Sequence, residues 1–429
     1  MARVKGMKFI YAACFLTILL WVISAPLSSR ISSLYNILTS IGQILGLLGI
    51  TLFATNLITS SRLKILEVYF GGLDFIYRKH HNTGSIIFVL LIFHPLILSL
   101  RYLFFSLKDT AIFFLPTFSD IPKSLGIVAF LLLNFLLVIT FYFALRYHIW
   151  KFSHKFLGVS FMIGALHSVL IPSDIARSVS LKIWIIFISI FAILAYIYRF
   201  YKENFDWNFS HIVKNVKTIG EITEISMQSK RNNIDFKPGQ FAFFAFKQAG
   251  FSSEDHPFSF TSFPGDKELR IAVKADGDYT EEMKNLKAGA TVRIEGPFGK
   301  FYHNPLVNKD QIWIAGGIGI TPFLSMLNIL ENNNEVKVHL YWSVSKTNEA
   351  VYFAELDGLK KKNNNFNFTL VVTEKQKRIT AEFIKKLDRD LKNKEIFLCG
   401  PSKMMKELRK QFIELEIDPV RIHSEEFSL

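Results

Sequence analysis

Six apolar stretches, at roughly residues 9–25, 38–58, 85–105, 125–145, 156–171 and 183–198, constrain this chain more than anything else in it. Most approach the length of about 17 to 25 residues that a helix needs to cross a bilayer. Lipid offers the backbone no hydrogen-bond partner, so segments of this length and character are obliged to be helical. The expectation is a bundle of six transmembrane helices. The fifth stretch is short for a span. The first has the layout of a cleavable signal, with Arg3, Lys5 and Lys8 ahead of it and Ser24-Ala25 behind it; it is read here as a span.

Charge supports that reading and gives it a direction. Residues 1–203 hold 18 Lys and Arg against 6 Asp and Glu, so +12 of the formal +14 belongs to the apolar part and +2 to the remainder. With all six stretches spanning and the N-terminus inside, the inner segments hold twelve Lys and Arg and the outer ones six. That is the excess expected on the cytoplasmic side. A nucleic-acid partner is not expected, because a domain that binds one carries its basic cluster on a soluble face. The two cysteines, Cys14 and Cys399, form no disulfide framework, which suits a reducing cytosol for the soluble part.

Four histidines fall on two of the helical segments at matched intervals. His80 and His94 are fourteen residues apart, and His154 and His167 thirteen, a rise of about 20 Å along each helix. Histidine in a bilayer is expensive and faces the bundle interior with a task. Two such helices side by side make two stacked bis-histidine sites, and haem iron takes axial imidazoles. The spacing therefore predicts two b-type haems, His80 with His154 at the inner depth and His94 with His167 at the outer. Fourteen positions return to within about 40° of one face, whereas thirteen miss by about 140°, so the second helix needs a distortion. His81 and His148 stand as rival ligands. Gly84 and Gly158, each four residues after an inner histidine, would let a flat macrocycle approach the backbone, though small residues also serve plain helix packing. A different class of reading is a transporter whose histidines relay protons, fused to a regulatory nucleotide-binding module.

Beyond Arg199 the hydropathy collapses. Short β-rich runs, Phe241 to Phe246, Leu269 to Lys274 and Thr291 to Glu295, are broken by Pro and Gly and read as a small antiparallel barrel. From about Asp310 the pattern becomes strand, glycine loop, helix, strand, with Gln311 to Ala315 and Val336 to Ser343 as strands of a parallel α/β domain. The loop Ala315 to Phe323 follows an apolar strand and opens a helix, so bare amides of Gly316, Gly317 and Gly319 can approach a pyrophosphate. Cys399-Gly400-Pro401 ends a later strand and would lie beside it at the carboxyl edge of the sheet. In the barrel, His256-Pro257-Phe258-Ser259 and Gly277-Asp278-Tyr279-Thr280 supply aromatic surface, hydroxyls and an open loop. The polar run Lys360 to Asn365 reads as a solvated loop. The domain boundaries follow: 1–203 transmembrane, 204–305 barrel, 306–429 nucleotide-binding.

Taken in order over nearly the whole chain, these motifs resemble the ferric reductase and NADPH oxidase superfamily. His80, Gly84 and His94, then His154, Gly158 and His167, look like the family's haem-ligand helices. Lys237 to Phe241, His256-Pro257-Phe258-Ser259, Gly277-Asp278-Tyr279-Thr280 and Glu295 to Gly299 look like its FAD-binding barrel. Gly316-Gly317-Ile318-Gly319-Ile320-Thr321-Pro322 and Cys399-Gly400-Pro401 look like its pyridine-nucleotide loops. The resemblance implies a multidomain membrane oxidoreductase in the bacterial inner membrane with its C-terminal domains in the cytoplasm. It also implies FAD, two haem b and NADPH or NADH as cofactors. By the same resemblance Ser259 lies near the reactive edge of the flavin, Thr280 holds its diphosphate, Cys399 flanks the nicotinamide and Phe427 covers the flavin.

Two departures from the family pattern bear on specificity. Where many members have an arginine for the 2′-phosphate of NADPH, this chain has Ser345 and Lys346; Lys346 keeps NADPH ahead of NADH. Superoxide-forming eukaryotic members tend to carry a second histidine one turn beyond the outer ligand, and the position here is Leu98. The segment Ser106 to Ser124, rich in Phe and Pro, would cover the outer site and admit small neutral dioxygen more readily than a bulky ferric chelate, with Arg101 as the nearby charge. The expectation is dioxygen as acceptor, with ferric chelates as the alternative.

Overall fold

The computed structural model describes residues 2–103, 106–143, 145, 147–205, 210–230, 234–301, 310–327, 330 and 335–425. The chain divides into two compact units, Met1–Asp206 and Trp207–Leu429.

The first unit is built on six long helices: α1 (Ala2–Ile23), α2 (Leu34–Ser60), α3 (Leu73–Leu103), α4 (Ile121–Tyr142), α5 (Tyr147–Leu170) and α6 (Val179–Phe205). Five of them, all but α5, are long and apolar enough to cross a membrane. At 24 residues α5 has the length, but Lys151, Lys155 and three histidines dilute its apolar character. Polar residues set the starts: the Ser33 side chain accepts from the Asn36 amide, and Asp120 accepts from that of Lys123 with Pro122 in the first turn. These are caps that satisfy otherwise orphaned donors. Helix α3 begins at Leu73, well before its apolar run, and this places His80 on the same helix as His94.

Helix α2 packs along α3, and α4 along α5. Small residues bring α2 close to α3: a side chain on Gly42 would run into Leu98, and one on Gly49 into Leu91. Buried polar groups also link helices, as where Trp184 Nε1 donates to Thr17 Oγ1 at 2.8 Å and the Thr17 and Thr51 hydroxyls meet at 3.0 Å. Such pairs are the usual glue where lipid removes the hydrophobic drive to associate.

The second unit carries two sheets. Strands β1 (His211–Ile219), β2 (Ile222–Ser229), β3 (Phe241–Lys247), β4 (Asp255–Ser259), β5 (Leu269–Lys274) and β6 (Thr291–Phe298) form an antiparallel sheet in the order β4-β3-β6-β1-β2-β5. The single bridge Phe260–Ile271 joins its edges, so the barrel is not closed by a full ladder. Pro257 sits on edge strand β4, where its missing amide is tolerated. Strand β3 is buried from Phe241 to Phe246, because Phe244 and Phe246 fill the barrel core while Phe241 and Phe243 meet Phe298 on the other face.

Strands β7 (Asp310–Gly316), β8 (Lys337–Val344), β9 (Phe366–Val372), β10 (Glu395–Cys399) and β11 (Ile422–Ser424) form a parallel sheet in the order β11-β10-β7-β8-β9. Alternate residues feed a core on each face: Trp313, Leu340 and Trp342 on one, Ile312, Ile314 and Tyr341 on the other. The sequence reading of Lys360 to Asn365 as a loop is corrected in part. Lys360–Lys362 form the last turn of the helix Phe353–Lys362, where cations suit the negative end of the helix dipole.

Candidate functional site: paired histidines and a nucleotide crevice

In the helical unit the four histidines form the two pairs expected from orientation. The His80 and His154 ring centroids stand 6.1 Å apart and those of His94 and His167 6.5 Å. An imidazole nitrogen binds a first-row metal at about 2 Å with the ring centre about 1 Å behind it, so two rings sharing one ion face each other at about 6 Å. Both pairs have that spacing although helical phase along α5 argued against it. The rivals His81 and His148 are exposed.

The His94–His167 pair, the outer one in the expected orientation, is held by backbone. His94 Nδ1 lies 2.7 Å from the Gly42 carbonyl and His167 Nδ1 2.7 Å from that of Pro122. With Nδ1–H donating, each ring keeps Nε2 as a lone-pair ligand and gains basicity. The two arrangements share a device. One turn beyond each accepting carbonyl stands a glycine, Gly46 after Gly42 and Gly126 after Pro122. A Cβ on Gly46 would lie 2.6 Å from His94 Nδ1, and one on Gly126 2.7 Å from the His167 ring. Side chains on a helix lean over the preceding turn, so only glycine leaves those carbonyls open to an imidazole. A cavity of about 340 Å³ surrounds this pair, lined by Gly46, Phe53, Leu98, Gly126 and Phe161 among others.

The His80–His154 pair, the inner one in the expected orientation, differs. Nδ1 of His80 and of His154 are buried with no hydrogen-bond partner among the described residues. Trp150 stacks on His154 at 5.2 Å, and Asn56 ties α2 to α3 by donating to the His80 carbonyl and accepting from Thr83. An orphaned buried imidazole facing a second imidazole fits a bis-histidine metal group at this depth too. Of the two glycines beside this pair, Gly158 is a correction: it makes room for the Tyr196 ring rather than for a ligand, whereas Gly84 has room around it, the nearest atom to a Cβ there being Asn56 Nδ2 at 3.9 Å. The glycines packed against histidine rings of the pairs are Gly46 and Gly126, which sequence reasoning missed. The repeat of Gly42, Gly46 and Gly49 on one helix was the available signal.

In the soluble unit the two glycine loops lie side by side. Strand β10 pairs with β7 so that Cys399 stands opposite Ala315. A Cβ on Gly319 would collide with the Cys399 carbonyl and reach Gly400 Cα at 2.8 Å, and one on Gly316 would reach Pro401 Cδ at 2.8 Å. Gly317 takes φ +53°, a region open to glycine, and passes into a 3₁₀ turn before the short helix Thr321–Met326. Thr321 Oγ1 donates to Ile318 O at 3.1 Å, with Pro322 next in the helix. Trp342 Nε1 donates to Gly317 O, tying β8 to the loop. At the end of β8, Lys346 is exposed; nearby, Glu349 accepts from the Ser345 amide at 3.3 Å, a carboxylate that sequence reasoning overlooked.

The two barrel motifs also meet. His256 stacks on Tyr279 at 3.9 Å, and the Tyr279 hydroxyl donates to the Glu254 carbonyl at 3.1 Å. Burial, then the nearby Glu254 and Asp255, push the Tyr279 phenol up, so it stays a neutral donor. Phe258 lies on the same strand, with its ring 6.1 Å from that of Phe244. Thr280 accepts from the Asp276 amide and donates to Gly277 O, which shapes the loop. Ser259 is buried, opposite Phe241 in the β3–β4 ladder. Gly299 has both the Phe241 ring and the Glu425 carboxylate against it. Glu425, 3% exposed, was not foreseen; with burial it pushes the Cys399 thiol well above its ordinary range. Cys399 is therefore a neutral thiol, fit to pack a ring rather than to attack. Phe427 lies outside the described residues.

Comparison with known proteins agrees with this division. Residues 45–165 match the family described as Ferric reductase like transmembrane component, 208–302 an FAD-binding domain, and 313–410 an Oxidoreductase NAD-binding domain. The chain is 26% identical over 238 residues to the 2-halobenzoate 1,2-dioxygenase electron transfer component of Burkholderia cepacia, covering 50% of this chain and 69% of that protein. It is 26% identical over 181 residues to a superoxide-generating NADPH oxidase heavy chain of Dictyostelium discoideum, covering 38% and 26%. The chain thus spans from about a quarter to about two thirds of these relatives' lengths. Among solved structures it is similar to the FAD/NAD binding domain of nitric oxide dioxygenase from Vibrio cholerae O1 biovar El Tor, with 20% identity, a TM-score of 0.45, and 50% of this chain and 97% of that one covered.

Proposed function

The chain belongs to the ferric reductase and NADPH oxidase superfamily, and from that premise we propose that it carries electrons from cytosolic NAD(P)H to an acceptor beyond the membrane. It is an integral membrane oxidoreductase with FAD- and NAD-binding domains in one chain. Two haem b groups complete the reading, one held by His80 and His154 and one by His94 and His167. When bound, flavin turns a two-electron hydride into single electrons and haem iron conducts them one at a time. The observation that carries this proposal is the outer pair: two imidazoles 6.5 Å apart, each with Nδ1 anchored on a carbonyl and Nε2 left to ligate.

The remaining residues have the roles the geometry supports. Gly316, Gly317, Gly319, Thr321 and Pro322 with Cys399, Gly400 and Pro401 would cradle the pyrophosphate and nicotinamide. His256, Pro257, Phe258, Ser259, Gly277, Tyr279 and Thr280 would hold FAD; Phe427, outside the described residues, is assigned to shielding its ring by the family resemblance alone. Lys346 favours NADPH, with NADH as the alternative. The twofold excess of Lys and Arg on the inner segments supports a bacterial inner membrane with the soluble domains in the cytoplasm.

For the acceptor we favour dioxygen, reduced to superoxide. Phe113, Phe114, Tyr102 and Leu98 give much of the outer cavity an apolar lining that suits a small neutral molecule, with Arg101 and Lys123 at its outer end. Steady-state NADPH consumption by the purified protein is expected to persist in air without added iron, to fall under argon, and to accompany dismutase-sensitive cytochrome c reduction. Equal turnover under argon with ferric citrate, together with no dismutase-sensitive signal in air, would make the protein a metal reductase instead.

A further inference from the structure

The cavity around His94 and His167 is apolar in its depth, where Phe53 and Phe161 lie, and changes character at its outer end. There it is lined by Thr39, Arg101, Asp120, Lys123 and Asp174. The two carboxylates are already engaged. Asp174, 2% exposed, is held by Arg30 at 2.6 Å and by Arg177. Asp120 caps α4, accepting from the Lys123 amide at 3.0 Å.

Among the described residues the two cations have no such partner. Arg101 donates to the Leu98 carbonyl at 2.9 Å and the Thr39 hydroxyl at 3.1 Å, and its guanidinium lies over the Tyr35 and Tyr102 rings. Lys123 Nζ lies over Phe113 at 5.2 Å. Neither forms an ion pair with a carboxylate among the described residues. Two cations lining one cavity at a membrane boundary are costly unless something anionic joins them.

Their placement says what that is. Arg101 is seven residues beyond His94 on α3, a rise of about 10 Å, which is the reach of a porphyrin from its metal to the ends of its acidic arms. Lys123 follows Pro122, whose carbonyl anchors His167. Each cation thus stands on the helix of a residue that ligates or anchors a ligand of the same site. A b-type macrocycle is apolar except for two carboxylates on one edge.

We propose that Arg101 and Lys123 receive the two carboxylates of the outer macrocycle, turning its acidic edge toward the outer surface. This rests on the di-haem reading above. Both are positioning residues for the bound group, and Arg101 is not primarily a lure for the acceptor. Two cations against that edge also favour the reduced metal, so they set the outer potential higher than the histidines alone would.

The test uses the full chain in detergent or nanodiscs, with haem counted by pyridine haemochrome and potentials taken by equilibrium redox titration. The Asp120 cap uses only the Lys123 backbone, so it survives substitution there. In Arg101→Gln with Lys123→Gln, haem is expected to fall from two per chain towards one, and any outer signal that remains to titrate at a more negative potential. Each single variant should give a smaller shift of the same sign, and provides the reading should the double variant not fold. Arg101→Lys and Lys123→Arg should retain both haems and the parental potential. Two haems with unchanged potentials in both glutamine variants would overturn the proposal, as would a change confined to acceptor kinetics. A parent protein holding fewer than two haems would instead bring down the di-haem reading, and the proposal with it.

Discussion

Replacing His94 or His167 with alanine is expected to lower the haem content from two per chain to one and to slow reduction of the external acceptor by about 100-fold or more, the upper range of what second-shell changes alone produce. Each is one of two rings facing each other at 6.5 Å, so losing either would leave the proposed haem with one imidazole. Reduction of the flavin by NAD(P)H should be unaffected, because the loops of that reaction belong to the other compact unit. Gly46→Ala and Gly126→Ala should cause a milder form of the same loss. An added methyl lies 2.6 Å from His94 Nδ1 in one and 2.7 Å from the His167 ring in the other, so the ring must leave the carbonyl that orients it. Pyridine haemochrome on purified variants checks both. An unchanged count in both histidine variants would remove the outer metal site from this protein.

Gly319→Ala should be nearly as damaging at the nicotinamide end of the proposed relay. The new Cβ collides with the backbone of Cys399 and Gly400, which has no flexible end to move aside. The two loops must separate, and a displacement of about 1 Å at a reacting centre costs about 100-fold in rate. Stopped-flow reduction of bound flavin is expected to slow by that order while FAD and haem contents stay at parental levels. Gly358→Ala is the control: it lies within the helix Phe353–Lys362 with open space around it, so it should leave the rate alone and add up to about 1 kcal/mol of stability. Flavin reduction by Gly319→Ala at the parental rate and KM would show that this crevice does not bind the nicotinamide nucleotide.

Much of the site was legible in the chain. The strand-loop-helix reading around Gly316 to Pro322 holds to within a residue or two at each strand end, because a run of apolar residues ending in glycines is a local pattern. The stacking of His256 on Tyr279, which joins two motifs more than twenty residues apart, was not written in either motif. Glu349 and Glu425 went unnoticed because isolated acidic residues carry no periodicity; what marks them is their placement beside Ser345 and Cys399. Gly158 misled because spacing from a histidine says nothing about which neighbouring helix will use the gap, and Tyr196 does.

The sequence by itself determined the apolar spans, the order of the domains and the identity of the four histidines. Hydropathy over about 20 residues and glycine at a strand end act locally, and neither needs a neighbour to be read. Only the tertiary structure decided that His154 and His167 both reach their partners, that Gly42 and Pro122 offer the carbonyls, and that Arg101 and Lys123 share one cavity end. Those outcomes depend on how each helix is rotated and how deep it sits. Packing against the other helices fixes both, and no interval along one helix records them.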